Sequence, residues 1–181
     1  MHYKILNKTS QSEELIPLET LMEYLRVYDY QEEALVEFYR EAAIDFAEAY
    51  TNRLFRSANV VSTLPTYKKS FYLPLSNTTR VEKVTAFDKN NKLIVIDNFR
   101  FNPVSSVLTF TSDYSNLSDF EVHHSVCVPP EEVPHAVKIG VMKLVATWYE
   151  NREDIANGVS ATEIPMNHKH CFDLYRLTPT S

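Results

Sequence analysis

Hydrophobic positions recur with a helical period in two segments near the start of the chain. The first segment covers residues 17–27 and begins with Pro17, a residue that suits the first turn of a helix. The second begins at Asp29, a predicted N-cap with Glu32 three residues further on. Its predicted apolar face comprises Leu35, Phe38, Ala42, Phe46 and Tyr50. The pattern therefore predicts two N-terminal helices.

The period changes between about residues 59 and 128. Short segments rich in β-branched and aromatic residues follow one another here, among them "VVSTL", "VEKVTAF", "LIVI" and "FEVHHSVCV". Asn90 and Asn91 join two of these segments, and asparagine tolerates the positive φ angles of a tight hairpin turn. The spacing predicts an antiparallel β meander or a small sandwich.

Helical periodicity returns after Pro134, and Glu131 and Glu132 lie just before it, where negative charge suits the helix dipole. The predicted inner face of this helix comprises Val137, Val141, Leu144, Val145 and Trp148. Much of the opposite face is also apolar, which indicates a helix that is buried or shared with a second chain. The stretch "HKHCFDLYRL" predicts one last short helix.

The order helices, strands, helix predicts an α+β fold without βαβ alternation. We expect a helical bundle, built from two N-terminal helices and one helix of the C-terminal half, with an inserted antiparallel β meander or small sandwich. The predicted divisions are an N-terminal arm at 1–16, a helical core at 17–56 and 133–155, a β-rich insertion at 57–132, and a C-terminal arm with a short helix at 156–181.

Composition narrows the possible functions. The chain has 181 residues with a formal net charge of −6, so it is a poor candidate for tight binding of duplex DNA. Only two glycines are present, which argues against a Gly-rich phosphate loop. We expect no membrane span, because no apolar run approaches about 18 residues. The N-terminus lacks the apolar run of a secretion signal, so we expect synthesis and retention in the cytoplasm.

The sequence predicts no catalytic residue, no metal and no cofactor. His123 and His124 are adjacent on a predicted strand, so their side chains point to opposite faces and cannot chelate together. An alternative is a zinc site formed by His168, His170 and Cys171, which lie close together in the sequence. No "HExxH" pattern supports such a site. The paired carboxylates lie on predicted charged helix faces or at helix starts. Solvation and the helix dipole account for carboxylates at these positions without a catalytic role.

One stretch carries the residue types that are enriched at interface hot spots. Trp148, Tyr149 and Arg152 lie within two turns near the end of the third long helix. A place in the core beneath the β insertion is favoured for Trp148, whereas core and interface stay open for Tyr149 and Arg152. Residues 156–164 follow without a hydrophobic pattern.

Three motifs in this order resemble the phage head–tail connector family, in its longer members with a β-rich insertion. The first is "IPLETLMEYLRVYDYQEEALVEFYREAAIDFAEAYTNRLF", in which Asn52 stands where the family usually has the Gly of "YTGR". The second is "VPHAVKIGVMKLVATWYENRE", and the third is "IPMNHKHCFDLYRL". The resemblance covers about residues 15–56 and 133–177. Asparagine at position 52 is compatible with the motif, because it also visits the left-handed region.

The resemblance implies a structural virion protein without enzymatic activity, located at the head–tail interface and made in the cytoplasm of a host bacterium. Family members form a ring of about a dozen subunits under the portal, complete the DNA-filled head and provide the surface for tail attachment. The implied partners are further copies of the chain, the portal protein and a tail-side completion or tail-terminator protein. DNA passes through the channel without sequence-specific binding. The residues predicted for the subunit or portal interface are Tyr149, Arg152, Glu153, Ile164, Pro165, Tyr175 and Arg176.

Two alternatives to a connector remain. One is another ring-forming virion component, such as a tail-terminator-like protein, which would bind the tail tube rather than the portal. The other is a small metal-dependent enzyme that uses His168, His170 and Cys171. The source of the particle also stays open among a live phage, a prophage and a gene transfer agent.

Overall fold

The computed structural model describes residues 2–9, 11–75, 77–151 and 167–177. Two compact units make up the chain, and both are assembled from separate stretches of sequence. The β unit contains the described residues within 1–9 and 56–129, and the helical unit contains those within 10–55 and 130–181. Helices and antiparallel sheets are thus segregated, and the predicted α+β class is confirmed.

The helical unit begins with two short helices, α1 (Ser12–Leu15) and α2 (Leu18–Leu25). A 3₁₀ turn at Tyr30–Glu32 then leads directly into the long helix α3 (Glu33–Thr51). A second 3₁₀ turn at Pro130–Glu132 precedes α4 (His135–Glu150), and α5 (Asn167–Asp173) follows.

Both predicted ends of the second N-terminal helix have a physical basis in the structure. The Asp29 carboxylate accepts a hydrogen bond from the backbone N–H of Gln31 at 2.9 Å, so it caps the 3₁₀ turn that leads into α3. Asn52 ends α3 in the left-handed conformation, with φ of 53°. Asparagine tolerates this conformation, which is why it can end the helix here.

The buried face of α3 differs from the predicted one. Phe38, predicted to be in the core, is 67% exposed, whereas Val36, Ala43, Ile44 and Ala47 are fully buried. The buried stripe also contains the charged residues Arg40 and Glu48, and these two interrupt its apolar pattern in the sequence. For α4 the pattern was more reliable, because four of the five residues of the predicted inner face are buried and Trp148 is half-buried.

The β unit consists of two antiparallel sheets. Its strands are β1 (His2–Lys8), β2 (Ala58–Thr66), β3 (Ser70–Tyr72), β4 (Thr78–Phe87), β5 (Leu93–Val95), β6 (Phe99–Asn102), β7 (Val107–Phe110) and β8 (Ser118–Val126). The order is β1-β2-β8-β4-β5 in the larger sheet and β3-β7-β6 in the smaller one. Side chains of both sheets share one hydrophobic core around Phe110 and Phe120, which is the arrangement of a small sandwich.

The prediction of an N-terminal arm at residues 1–16 is wrong for residues 2–8. They form the edge strand β1, which pairs antiparallel with β2 from His2 opposite Thr63 to Lys8 opposite Ala58. Six of the seven residues of β1 are exposed, so the strand lacks the alternation of buried and polar positions that identifies a strand in sequence. Its backbone pairing with β2 is what defines it as a strand.

Candidate assembly surface

Large apolar side chains are exposed on the helical unit where α2 leads into α3. Tyr24 is 47% exposed, Tyr28 81%, Tyr30 85% and Phe38 67%. We call these four residues the aromatic corner. Exposed aromatic side chains are enriched at protein interaction sites, because Tyr and Phe bury much apolar area at a low entropic cost.

An acidic stripe runs along α3 beside the aromatic corner. It consists of Glu33, Glu37, Glu41 and Asp45, spaced four residues apart. Neighbouring carboxylates at this spacing repel each other, and Arg40 on the same helix offsets part of the repulsion. Its guanidinium lies 3.4 Å from Glu37 Oε1 and 3.8 Å from Glu41 Oε1.

Arg40 also anchors the first helix of the chain. Its side chain is only 3% exposed, and its guanidinium pairs with the carboxylate of Glu13 and donates to the backbone carbonyl of Ile16 at 3.1 Å. The Glu13 carboxylate in turn accepts from the backbone N–H of Leu18, the first residue of α2. The hydrogen bond from Arg40 holds the pKa of Glu13 below its ordinary value. One buried arginine thus connects α3 to both short helices.

The segment Asn167–Leu177 docks on the C-terminal end of α3 through polar contacts. Tyr50 Oη donates to Asp173 Oδ1 at 2.6 Å, and this hydrogen bond raises the pKa of Tyr50. The guanidinium of Arg53 donates to the Tyr175 carbonyl at 2.5 Å. The Leu177 N–H donates to the Thr51 carbonyl at 2.8 Å and so satisfies one of the free carbonyls at the helix end.

The side chain of Asn52 makes a contact that a glycine at this position could not make. Its amide Nδ2 donates to the backbone carbonyl of Leu177 at 3.1 Å. Asn52 therefore has two roles, since its backbone ends α3 and its side chain holds the C-terminal segment.

Aromatic packing holds α5 against α3 and α4. Phe172 is fully buried, with its ring centroid 6.5 Å from that of Phe46 and 6.1 Å from that of Tyr50. Gly140 on α4 makes room for it, because a Cβ at this position would lie 2.5 Å from Phe172 Cε1 and 2.9 Å from Cys171 Cβ. Trp148 lies beside the same cluster, with its ring 6.4 Å from that of Phe46.

The structure describes three of the seven residues predicted for the interface. Tyr149 is half-buried on α4, Tyr175 is half-buried, and Arg176 is exposed with its guanidinium 5.3 Å from the ring centroid of Tyr50. The other predicted interface residues, Arg152, Glu153, Ile164 and Pro165, lie outside the described residues, as does the segment 156–164. The interface role of all seven residues stays a prediction.

The histidines are held in unlike environments. His168 is 7% exposed and packs edge-on against Phe46, and its burial lowers its pKa, whereas the ring of His170 is 86% exposed. In the part of the chain that the structure describes, no group of three or more His, Cys, Asp or Glu residues could hold a metal ion. The alternative zinc site at His168, His170 and Cys171 therefore receives no geometric support.

His124 is a buried histidine inside the β unit. It is 1% exposed, with Nε2 2.9 Å from Ser62 Oγ and Nδ1 3.2 Å from Thr78 Oγ1. Burial lowers its pKa from 6.5 to about 4, so the ring is neutral at pH 7. His123 points to the opposite face, where its Nε2 lies 3.9 Å from Glu121, as expected for adjacent residues of a strand.

Charge is divided unequally between the two units. The β unit has ten Lys and Arg against six Asp and Glu, a net charge of +4. The helical unit has eight Lys and Arg against eighteen Asp and Glu, a net charge of −10. The overall charge of −6 thus conceals a cationic unit and a strongly anionic one.

Sequence reasoning missed the aromatic corner. The available signal was "YDYQEE", in which two tyrosines flank an N-cap aspartate and precede a run of acidic residues. Tyrosines in a turn before a helix N-terminus have no core to enter, so their exposure could have been inferred. Phe38 carried no such signal, because it fits the apolar face that the period predicts.

None of the helices in the described part of the chain combines the length and apolar character that crossing a membrane requires. No protein-family model matches the chain, and no curated protein matches it either.

Solved structures do share the fold, over nearly the full length of both chains. A chain in the virion of the native gene transfer agent (GTA) particle is 17% identical, with a TM-score of 0.72 and coverage of 100% of this chain and 98% of the other. A chain in the neck of the empty GTA particle, computed with C6 symmetry, is 18% identical with the same TM-score and coverage. A chain in the neck of the native GTA particle, computed with C12 symmetry, is 14% identical with a TM-score of 0.67 and the same coverage. The chain therefore has the fold of a protein found in the virion and the neck of a gene transfer agent particle.

Proposed function

We propose that the chain is a head–tail connector of a tailed-phage-like particle, a structural protein that assembles as a ring below the portal. The observation that carries the proposal is the fold, which both units share with chains of particle necks. Those necks were computed with C6 and C12 symmetry, which suits a ring of about a dozen copies. In this role the ring completes the DNA-filled head and provides the surface for tail attachment.

The features of the helical unit support this function. Its aromatic corner is exposed in the isolated chain, and its acidic stripe gives it a strongly negative surface. A protein with a net charge of −6 can surround DNA without holding it, because binding to phosphates depends on cationic side chains. The proposed partners are further copies of the chain, the portal protein and a tail-side protein, and the proposed location is the head–tail interface of the virion.

The test is to delete the gene from the genome of the particle and to restore it on a plasmid. We expect capsids without attached tails that lose their DNA, and a fraction of tailed particles in electron micrographs that falls to background. The plasmid copy restores tailed particles. Closed, DNA-filled heads accompanied by free tails of irregular length would point to a tail-terminator-like protein instead, and normal tailed particles would refute the proposal.

A further inference from the structure

The β4–β5 hairpin forms a rigid, cationic and partly apolar surface. The Asp88 carboxylate accepts hydrogen bonds from the backbone N–H groups of Asn90 at 2.8 Å and Lys92 at 2.9 Å, so the turn is held from within. Lys89 and Lys92 are exposed at its tip. A turn that is ordered before it binds loses little entropy when it docks.

Apolar side chains are also exposed along β5. Leu93 is 48% exposed and Val95 is 53% exposed, and their alternate positions place both on one side of the strand. β5 is also the edge strand of the larger sheet. We call Lys89, Lys92, Leu93 and Val95 the hairpin patch.

Two further lysines lie at the same end of the sheet. Thr66 at the end of β2 and Phe87 at the end of β4 both pair with Ser118, the first residue of β8. The link after β2, which carries the exposed Lys68 and Lys69, therefore leaves the sheet at the same end as the β4–β5 hairpin. Four of the ten Lys and Arg residues of the β unit thus lie at this end of the sheet, together with Asp88, Asp113 and Asp119.

We infer that the hairpin patch of one copy docks on the aromatic corner and acidic stripe of the next copy. The two surfaces match in charge, since lysines face carboxylates, and in character, since Leu93 and Val95 face aromatic rings such as Phe38. Lysine ammonium groups are also attracted to the faces of exposed tyrosine and phenylalanine rings. This interface deepens the proposed function and rests on it, because it names the contact that joins the subunits of the ring.

A ring can follow from this interface, because each copy carries both surfaces. Two different patches on one chain make a head-to-tail contact, which closes into a ring when the rotation between neighbours divides the circle. A second copy suits the hairpin patch better than DNA does, because aspartates accompany the lysines at this end of the sheet and Leu93 and Val95 have no role against phosphate.

The first test maps the contact in the wild-type protein. Isotopically light and heavy copies are mixed at high concentration and low salt, both alone and with the portal protein of the same particle. They are then joined by a carbodiimide that links lysine to carboxylates and analysed by mass spectrometry. We expect light–heavy crosslinks from Lys89 or Lys92 to the carboxylates of the acidic stripe. Crosslinks between copies at other places overturn this interface and leave the ring itself standing. The absence of any light–heavy crosslink also overturns the interface, whereas the gene deletion described above tests the connector function independently.

The second test compares two double variants in which two lysines are replaced by glutamates, so that both variants change the net charge by the same amount. K89E/K92E should weaken association between copies about tenfold, judged by native mass spectrometry at about 50 mM salt. The matched control K4E/K8E, on strand β1 at the opposite edge of the larger sheet, should have no effect. Phe38→Ala, which removes an exposed side chain and so leaves the fold intact, should weaken association as well. Equal behaviour of the hairpin variant and its control would overturn the proposal. The proposal would also be overturned if K89E/K92E lost binding to duplex DNA while the association between copies stayed unchanged.

Discussion

Gly140→Ala is expected to release α5 from the helical unit. The new methyl carbon would lie 2.5 Å from the Phe172 ring and 2.9 Å from Cys171 Cβ, closer than carbon atoms can approach. Phe46, Tyr50 and His168 pack against this ring and restrict its movement away from the new methyl group. Alanine favours the helical state of α4 by up to about 1 kcal/mol, but overpacking costs about 1–3 kcal/mol. The strain is most easily relieved by undocking the seven-residue helix α5.

Amide hydrogen exchange of residues 167–177 measures this effect directly. We expect these amides to lose their protection in Gly140→Ala while α4 keeps its own. Phe172→Ala gives a matched comparison, because it leaves a cavity that costs about 3–5 kcal/mol and removes the ring against which the methyl group clashes. In the Phe172→Ala background only the 2.9 Å approach to Cys171 Cβ remains, so Gly140→Ala should cost less there than in the wild type. Unchanged protection of 167–177 in Gly140→Ala would contradict this account of the packing.

The β unit is expected to lose stability in mild acid because of His124. Its pKa is about 4 in the folded state and near 6.5 in the unfolded chain, so between these values the unfolded chain binds the additional proton. The free energy of unfolding therefore rises with pH across this window, and it falls as pH is lowered through it. Two pKa values this far apart correspond to a loss of about 2 kcal/mol between pH 7 and pH 5.

Urea unfolding followed by circular dichroism, at pH 7 and at pH 5, checks this expectation. The control is His124→Gln, which retains a polar side chain but cannot be protonated. The variant removes the contribution of His124 and leaves its neighbours His123 and Glu82 in place, so the difference between the two proteins isolates the buried ring. Equal pH dependence of the wild type and the variant would show that His124 is not the group responsible.

Elements with a regular apolar period were predictable from the sequence, and their exceptions have identifiable causes. The inner face of α4 was predicted well, because Val137, Val141, Leu144 and Val145 follow an unbroken helical period. The face of α3 was misplaced, because Arg40 occupies a buried position and Phe38 an exposed one. An arginine can be buried only when carboxylates and carbonyls from other elements surround it, and a pattern along one helix does not contain that information.

The candidate surface was less predictable than the fold for a similar reason. The docking of the C-terminal segment depends on contacts such as Tyr50 with Asp173, whose residues lie 123 positions apart. The close approach of α5 to Gly140 is also a tertiary feature, although a glycine inside an otherwise apolar helix hints at close packing. The resemblance to connector proteins indicated the correct kind of fold, while the aromatic corner, the acidic stripe and the hairpin patch became visible only from side-chain exposure.

The central claim is that copies of this chain form a connector ring, and the mass of the assembly tests it most directly. The purified chain, alone and mixed with the portal protein of the same particle, is analysed by native mass spectrometry and imaged by negative-stain electron microscopy. We expect closed rings of about a dozen subunits, formed by the chain alone or on the portal. A chain that stays monomeric at high concentration and adds no mass to the portal would contradict the account.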